Sequence, residues 1–405
     1  MDTITHGIAG ALIAKAAFRG QDMFAAKPVT RERIITWSLM LGAIFPDSDV
    51  LREFFSHNDL LILTWHRSIT HSLVCLPFFA VALAALTSWF VRWRKWEAPS
   101  FAALTGIYAI GILSHILLDL VTSFGTMIWS PLRWSRPAWD LIFIIDFTLT
   151  AILLVPQIVA WVYAKEDGLQ RRALASWIVF AVATLGVAAI AIKVDAPLSV
   201  QGVLAAMVLL AAAFLLPAIR KSGLRVRPAS WNLAGLLITL GYIGAAVFAH
   251  YVALKRVDKF SSTLHLDVQS QGALPFPPSL WHWDGLVLTP RGVYELRMNL
   301  GGESADVQAA GFDADTDSSL SYRFYPDAPP NPYIEAAKRL PEVRTVLWFA
   351  RFPVTRFHQQ GAEAIVEISD LRFPQMRPDR PASFTYSVRF AADGTVLSQG
   401  WVKPR

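Results

Sequence analysis

Histidines and aspartates recur in short groups through the first 146 residues. They are His6, the pair Asp47 and Asp49 in Phe45-Pro46-Asp47-Ser48-Asp49, and His66 and His71 in His66-Arg67-Ser68-Ile69-Thr70-His71. His115 and Asp119 follow, then Asp140 and Asp146. Imidazole nitrogen mixed with carboxylate oxygen suits Zn²⁺, Mn²⁺ or Fe²⁺ better than Mg²⁺ or Ca²⁺, which favour all-oxygen shells. Zinc fits best, with manganese or iron as alternatives. His6, Asp47, Asp49, His66, His71, His115 and Asp119 are enough donors for one or two divalent ions. Such ions acidify water and polarise esters and phosphoesters, so the chemistry expected is metal-dependent hydrolysis. Arg67 is a candidate to steady a substrate phosphate or oxyanion. Asp49 or Asp140 is a candidate general base, while Asp146 is expected to salt-bridge within the bundle.

Spacing limits how these groups can meet. His115 and Asp119 stand four residues apart and share one helix face. His66 and His71 differ by five, about 140° on a helix, so they cannot both point inward from one regular helix. His66 is therefore expected in the preceding loop or first turn. Asp47 and Asp49 follow a proline, in irregular backbone that lets both carboxylates face one site. Taken singly, each group has a plain structural reading: a helix cap for Asp47 or Asp140, or an interhelical polar pair for His115 and Asp119. Only their joint placement favours a metal.

The elements that must position them are apolar. Of the residues, 54% are hydrophobic and 17% charged, against roughly a quarter charged in soluble proteins, and mean hydropathy is +0.40. Seven apolar runs, at 32–46, 70–91, 101–122, 140–163, 173–192, 199–219 and 231–254, read as membrane helices, and residues 3–18 form an eighth candidate. From about residue 258 the pattern changes. Segments such as 262–268 and 361–368 alternate polar and apolar between proline clusters, and one helix is expected near 332–340. The fold class is thus an all-α transmembrane domain of about seven or eight helices over 1–257, followed by a β-rich α+β soluble domain over 258–405.

The net charge of +6 sits largely in short loops at 92–97, 164–172 and 220–229. Placed in the cytoplasm by the positive-inside rule, they put 47–69, 123–139 and everything after 255 on the external side. The aspartate and histidine groups then share one depth. The same loops account for the basic balance without a nucleic-acid partner. Trp129, Trp134 and Trp139 suit an interfacial belt. The single cysteine, Cys75, offers no disulfide or cysteine metal motif. The N-terminus lacks a basic signal region, so the first span is expected to serve as an uncleaved targeting signal.

In their order, these residues resemble the YdjM-like family of membrane-bound metal-dependent hydrolases. The resemblance is carried by Asp2-Thr3-Ile4-Thr5-His6 with Gly7 and Gly10, by Pro46-Asp47-Ser48-Asp49, and by His66-Arg67 with Thr70-His71-Ser72. Ser114-His115 with Asp119, and the stretch from Gly125 to Pro131 before Asp140, complete it. The C-terminal region is similar to longer members through Trp281, Phe352-Pro353 and Asp370-Leu371-Arg372-Phe373. The resemblance implies a multi-span inner-membrane protein with metal ligands at His6, Asp47, Asp49, His66, His71, His115 and Asp119. The His-x-x-x-Asp pair is also similar to that of zinc-dependent phospholipase C enzymes, which turns the substrate expectation toward phosphoesters, with membrane lipid as the partner. Two other functions fit intramembrane His and Asp. A metal-ion transporter or channel would need polar residues through the full membrane depth. A metal-stabilised membrane scaffold with an external binding domain would need a closed coordination shell.

Overall fold

The computed structural model describes residues 1–18, 29–56, 58–164, 167–193, 200–215, 227–277, 279–301, 313–314, 321–373 and 384–402. Of the basic residues in the 92–97, 164–172 and 220–229 loops, Lys165, Arg220, Lys221 and Arg225 lie outside them.

A helical region comes first. It comprises α1 (Thr3–Ala17), α2 (Arg31–Ile44), the short α3 (Leu51–Phe54) and α4 (Leu61–Thr64), α5 (Leu76–Trp93), α6 (Phe101–Leu120), α7 (Phe147–Val162), α8 (Leu169–Lys193), α9 (Val200–Phe214) and α10 (Pro228–Thr263). Among the described residues, four helices are long and apolar enough to cross a membrane: α5, α6, α8 and α10. Helices α7 and α9 are apolar but shorter. Helix α2 stops at Ile44, where Pro46, which has no N–H to donate, turns the chain into a 3-10 turn over Phe45–Val50 that leads directly into α3.

Two segments depart from the sequence expectation. The apolar run from 140 becomes helical only at Phe147, where the Asp146 carboxylate caps α7 by accepting from Leu149 N at 3.0 Å. Residues 139–142 instead strap the end of α6: Trp139 N donates to Leu120 O, and Leu141 N and Ile142 N to Val121 O. They satisfy carbonyls that the helix end leaves open. The expected strand at 262–268 is likewise absent. Helix α10 continues to Thr263 and the first strand begins at Ser270. Its inner stripe Ala249, Ala253, Val257 and Phe260 packs under the sheet against Trp283, Leu296 and Met298, so helical periodicity outlasts the apolar run.

Nine described strands form two antiparallel sheets. The first has five strands in the order β1-β2-β3-β5-β4: β1 (Ser270–Phe276), β2 (His282–Thr289), β3 (Gly292–Asn299), β4 (Asp313–Ala314) and β5 (Ser321–Pro326). The second orders β6 (Pro353–Gln360), β7 (Glu363–Asp370), β8 (Thr385–Phe390) and β9 (Val396–Trp401). Between them lie α11 (Pro332–Arg339) and α12 (Pro341–Phe349). The sequence reading gives one helix here; the second starts on Pro341, a residue favourable at a first helical position.

The sheets seat on one end of the helical region. Leu60, Leu63 and Phe124 join the core between α11, α12 and the second sheet. Arg351 holds Asp140 with two contacts of 2.9 and 3.0 Å, Arg372 donates to Ser123 O at 3.1 Å, and Ser279 donates to Asp146 at 2.6 Å. The loops expected to carry chemistry are therefore clamped between helices and sheets.

Candidate metal centre

Glycines set the packing that builds the site. A Cβ on Gly10 of α1 would stand 2.8 Å from the Leu39 carbonyl of α2, and one on Gly111 of α6 would stand 2.8 Å from the same oxygen. Gly42 of α2 faces Gly111. Helices α1, α2 and α6 thus meet backbone to backbone, an approach that small residues permit. Their converging ends carry His6, Asp47 and the pair His115 and Asp119. The fourth contribution comes from the 66–72 turn. Arg67 takes a left-handed φ of 59°, and its N–H donates to Asp49 Oδ2 at 2.9 Å. That bond fixes the turn on which His71 sits.

Four residues present one donor atom each to a common point: Asp47, His71, His115 and Asp119, all within 4.8 Å of one another. His71 Nε2 and His115 Nε2 are 3.0 Å apart, and Asp119 Oδ2 is 3.2 and 3.4 Å from them. Asp47 Oδ1 lies 3.7 and 3.4 Å from the same two nitrogens. A tetrahedral ion with bonds of about 2.0–2.1 Å keeps its donors about 3.3–3.4 Å apart, so these edges have the right length. The donors also face inward for local reasons. His115 Nδ1 meets the Ala43 carbonyl at 2.6 Å, which leaves Nε2 as the free lone pair. Thr3 Oγ1 donates to Asp47 Oδ2 at 2.6 Å and turns Oδ1 toward the histidines. Asp119 Oδ2 is fully buried, near two imidazoles, yet makes no hydrogen bond. An orphaned carboxylate oxygen costs free energy in an apolar bundle, and a cation among two imidazoles and two carboxylates relieves that cost. The donor set fits a divalent metal.

The other sequence candidates surround this group. His6 stacks on His115 with ring centroids 3.6 Å apart, and its Nε2 lies 3.2 Å from Asp119 Oδ1. The Met1 amino group also meets Asp119 Oδ1. Asp49 stands behind the donors: Oδ1 is 3.0 Å from His66 Nδ1, and Oδ2 takes the Arg67 N–H and lies 3.5 Å from His71 Nδ1. Arg67 is almost wholly buried. It places Nη2 2.9 Å from Asp119 Oδ1 and donates from Nη1 to Thr122 at 2.9 Å. Asp140 is not brought to the group, since Arg351 holds it. Asp146 accepts from Tyr242 at 2.8 Å and from Ser279, again apart from the group. The group is least buried at Asp47 and His66, whose side chains are 9% and 18% exposed against 0–1% for His6, Asp49, His71, His115 and Asp119.

A family model described as YdjM inner membrane protein matches residues 1–195. Over that stretch the chain is similar to the YdjM inner membrane protein family. The matched residues span α1 to α8 and hold every member of the converging group. No curated protein and no solved structure matches the chain.

Sequence reasoning missed Thr3 and the Ala43 carbonyl as orienting groups. A polar residue three places before His6 was the available signal for Thr3. A backbone carbonyl leaves none. It missed Arg136 as well. This residue of the 123–139 loop ties the 63–66 turn by donating to His66 O at 2.9 Å and sits over the Phe124 ring. Burial, then the neighbouring guanidiniums of Arg67 and Arg372, pull its pKa down to about 9.

Proposed function

We propose that this chain is a metal-dependent hydrolase of esters or phosphoesters, working at the external face of the inner membrane. The observation that carries the reading is the convergence of Asp47, His71, His115 and Asp119 at the ends of packed apolar helices, beside a mouth at Asp47 and His66. In this reading the shorter helices α1, α2, α7 and α9 complete a bundle of seven or eight membrane helices. The sheets form an external, periplasmic domain over the site. Mixed nitrogen and oxygen donors favour a single zinc ion, which when bound would acidify water and polarise the scissile ester.

The chain's own residues divide the remaining work. Arg67 stabilises Asp119 as a carboxylate and holds it in place, rather than meeting substrate. Asp140, paired with Arg351, seats the external domain. Asp49 orients. With its Nδ1–H directed at the Asp49 carboxylate, the His66 imidazole keeps Nε2 as an acceptor, so it can take a proton at the mouth. It replaces Asp49 and Asp140 as the general base.

A scaffold reading has one observation in its favour: the four protein donors would be enough to fill a tetrahedral shell, as in closed structural zinc sites. Turnover separates the two. Zinc-loaded protein in proteoliposomes should hydrolyse a phosphoester or carboxylic ester, lose this activity to a chelator, and lose at least about 100-fold with His66→Ala. Stoichiometric zinc with no turnover across both ester classes would establish the scaffold instead.

A further inference from the structure

Arg67 is spent on Asp119 and Thr122, so a substrate anion needs another cation. Arg52 meets that need. It is exposed, and its guanidinium sits over the Trp65 ring, 3.9 Å from the centroid. Among the described residues no carboxylate pairs with it. Trp65 directly precedes His66, and Arg52 follows Asp49 by three residues on the same short helical run. The stack is therefore joined through the chain to His66, one residue on from Trp65, and to Asp49, three residues before Arg52. A guanidinium held on an indole face keeps its N–H edge open in a preset plane, the arrangement that grips phosphate in two places.

Exposed apolar side chains stand in the same stretches of chain. Ile4 is 73% exposed, Leu51 59% and Phe55 87%. Leu51 and Phe55 follow Asp47 in steps of four, and Ile4 adjoins Thr3, which bonds Asp47. Side chains this apolar and this exposed suit hydrocarbon, not water, and they continue directly from the end of α2 and the start of α1. One isolated arginine would read as a solvated surface group. An arginine on a tryptophan, with three exposed apolar side chains in the same stretches of chain, has the pattern of a phospholipid: a phosphate above acyl chains.

We propose that the mouth binds an anionic phospholipid, its phosphate on Arg52 and its chains against Ile4, Leu51 and Phe55, reached sideways from the bilayer. That this lipid is also the substrate rests on the hydrolase reading; its binding does not. The test is native mass spectrometry of the purified full-length protein, with dioleoyl phosphatidic acid and dioleoylglycerol as probes. Phosphatidic acid should bind about tenfold more tightly than dioleoylglycerol, and Arg52→Gln should remove that difference. Equal binding of the two lipids, or unchanged phosphatidic acid binding by Arg52→Gln, would overturn the proposal. Displacement of phosphatidic acid by millimolar inorganic phosphate would overturn the lipid source. In bilayers, spin labels at Leu51→Cys and Phe55→Cys in a Cys75→Ala background should be reached by oxygen and shielded from a water-soluble nickel chelate. Labels open to the chelate would contradict access from the membrane. None of these readouts needs turnover. A failed lipid site therefore leaves a hydrolase of soluble substrates standing, and a failed hydrolase leaves the lipid site standing.

Discussion

Asp49 lies behind the donors rather than among them, and it holds three groups at once: the His66 imidazole, the Arg67 N–H and, at 3.3 Å, the Thr70 hydroxyl. Outer groups of this kind typically cost 10–100-fold in metal affinity when removed. Asp49→Ala should therefore weaken zinc binding by about 10–100-fold, read by competition with a chromogenic chelator. Asp119→Ala should abolish it. Equal losses in the two variants would place Asp49 among the ligands. The pairing of His115 with Asp119 was legible from sequence, because four-residue spacing on a helix fixes a shared face. The division between donors and supporting groups was not, since Asp47 and Asp49 are identical in type and two residues apart. Only the 3-10 turn after Pro46 and the bonds from Thr3 and Arg67 tell them apart. The two arginines follow the same rule. Whether Arg67 or Arg52 is left open to an anion depends on which of them reaches Asp119.

Helices α1, α2 and α6 carry the donors, and their contact depends on Gly10, Gly42 and Gly111. Gly111→Val should force the α2 backbone away, since its Cβ would meet Leu39 O at 2.8 Å. The cost should be about 1–3 kcal/mol, seen as a lowered melting temperature together with weaker zinc binding. Gly106→Ala, on the same helix with nothing within 4 Å of its new Cβ, should change neither. A Gly111→Val protein with wild-type zinc affinity would show that the helix contact does not build the site. Helical character and the apolar runs were readable because periodicity and hydropathy are local properties. Boundaries were not. Helix α10 passes the charged residues Lys255, Arg256, Asp258 and Lys259 because its other face, Val257 and Phe260, is buried under the first sheet. Residues 139–142 abandon a helical-looking pattern because the end of α6 takes their N–H groups.

Across the whole molecule, the sheets and the helical region share polar ties that sequence could not place, because each joins residues more than a hundred positions apart. Arg351→Ala should loosen the seat at Asp140 and speed limited proteolysis between α10 and β1; an unchanged cleavage rate would make that pair incidental. Within the first sheet, Asp284 is buried, and burial, then the nearby Glu295 carboxylate, push its pKa up to about 7 against the opposing pull of Arg297. The native state thus keeps a proton that the unfolded chain releases above its ordinary value of 3.8. Stability should fall as pH rises from about 4 to about 7 and level off above that. Asp284→Asn should flatten the fall, measured by thermal unfolding across that range, and a variant with the wild-type slope would rule this residue out as the source. The convergence of Asp47, His71, His115 and Asp119 is tested most directly by the metal content of the protein. Purified wild-type protein should carry one zinc per chain by elemental analysis. Asp47→Ala, His115→Ala and Asp119→Ala should carry almost none while staying folded. Wild-type protein that binds no divalent metal, or variants that keep the full amount, would contradict the site.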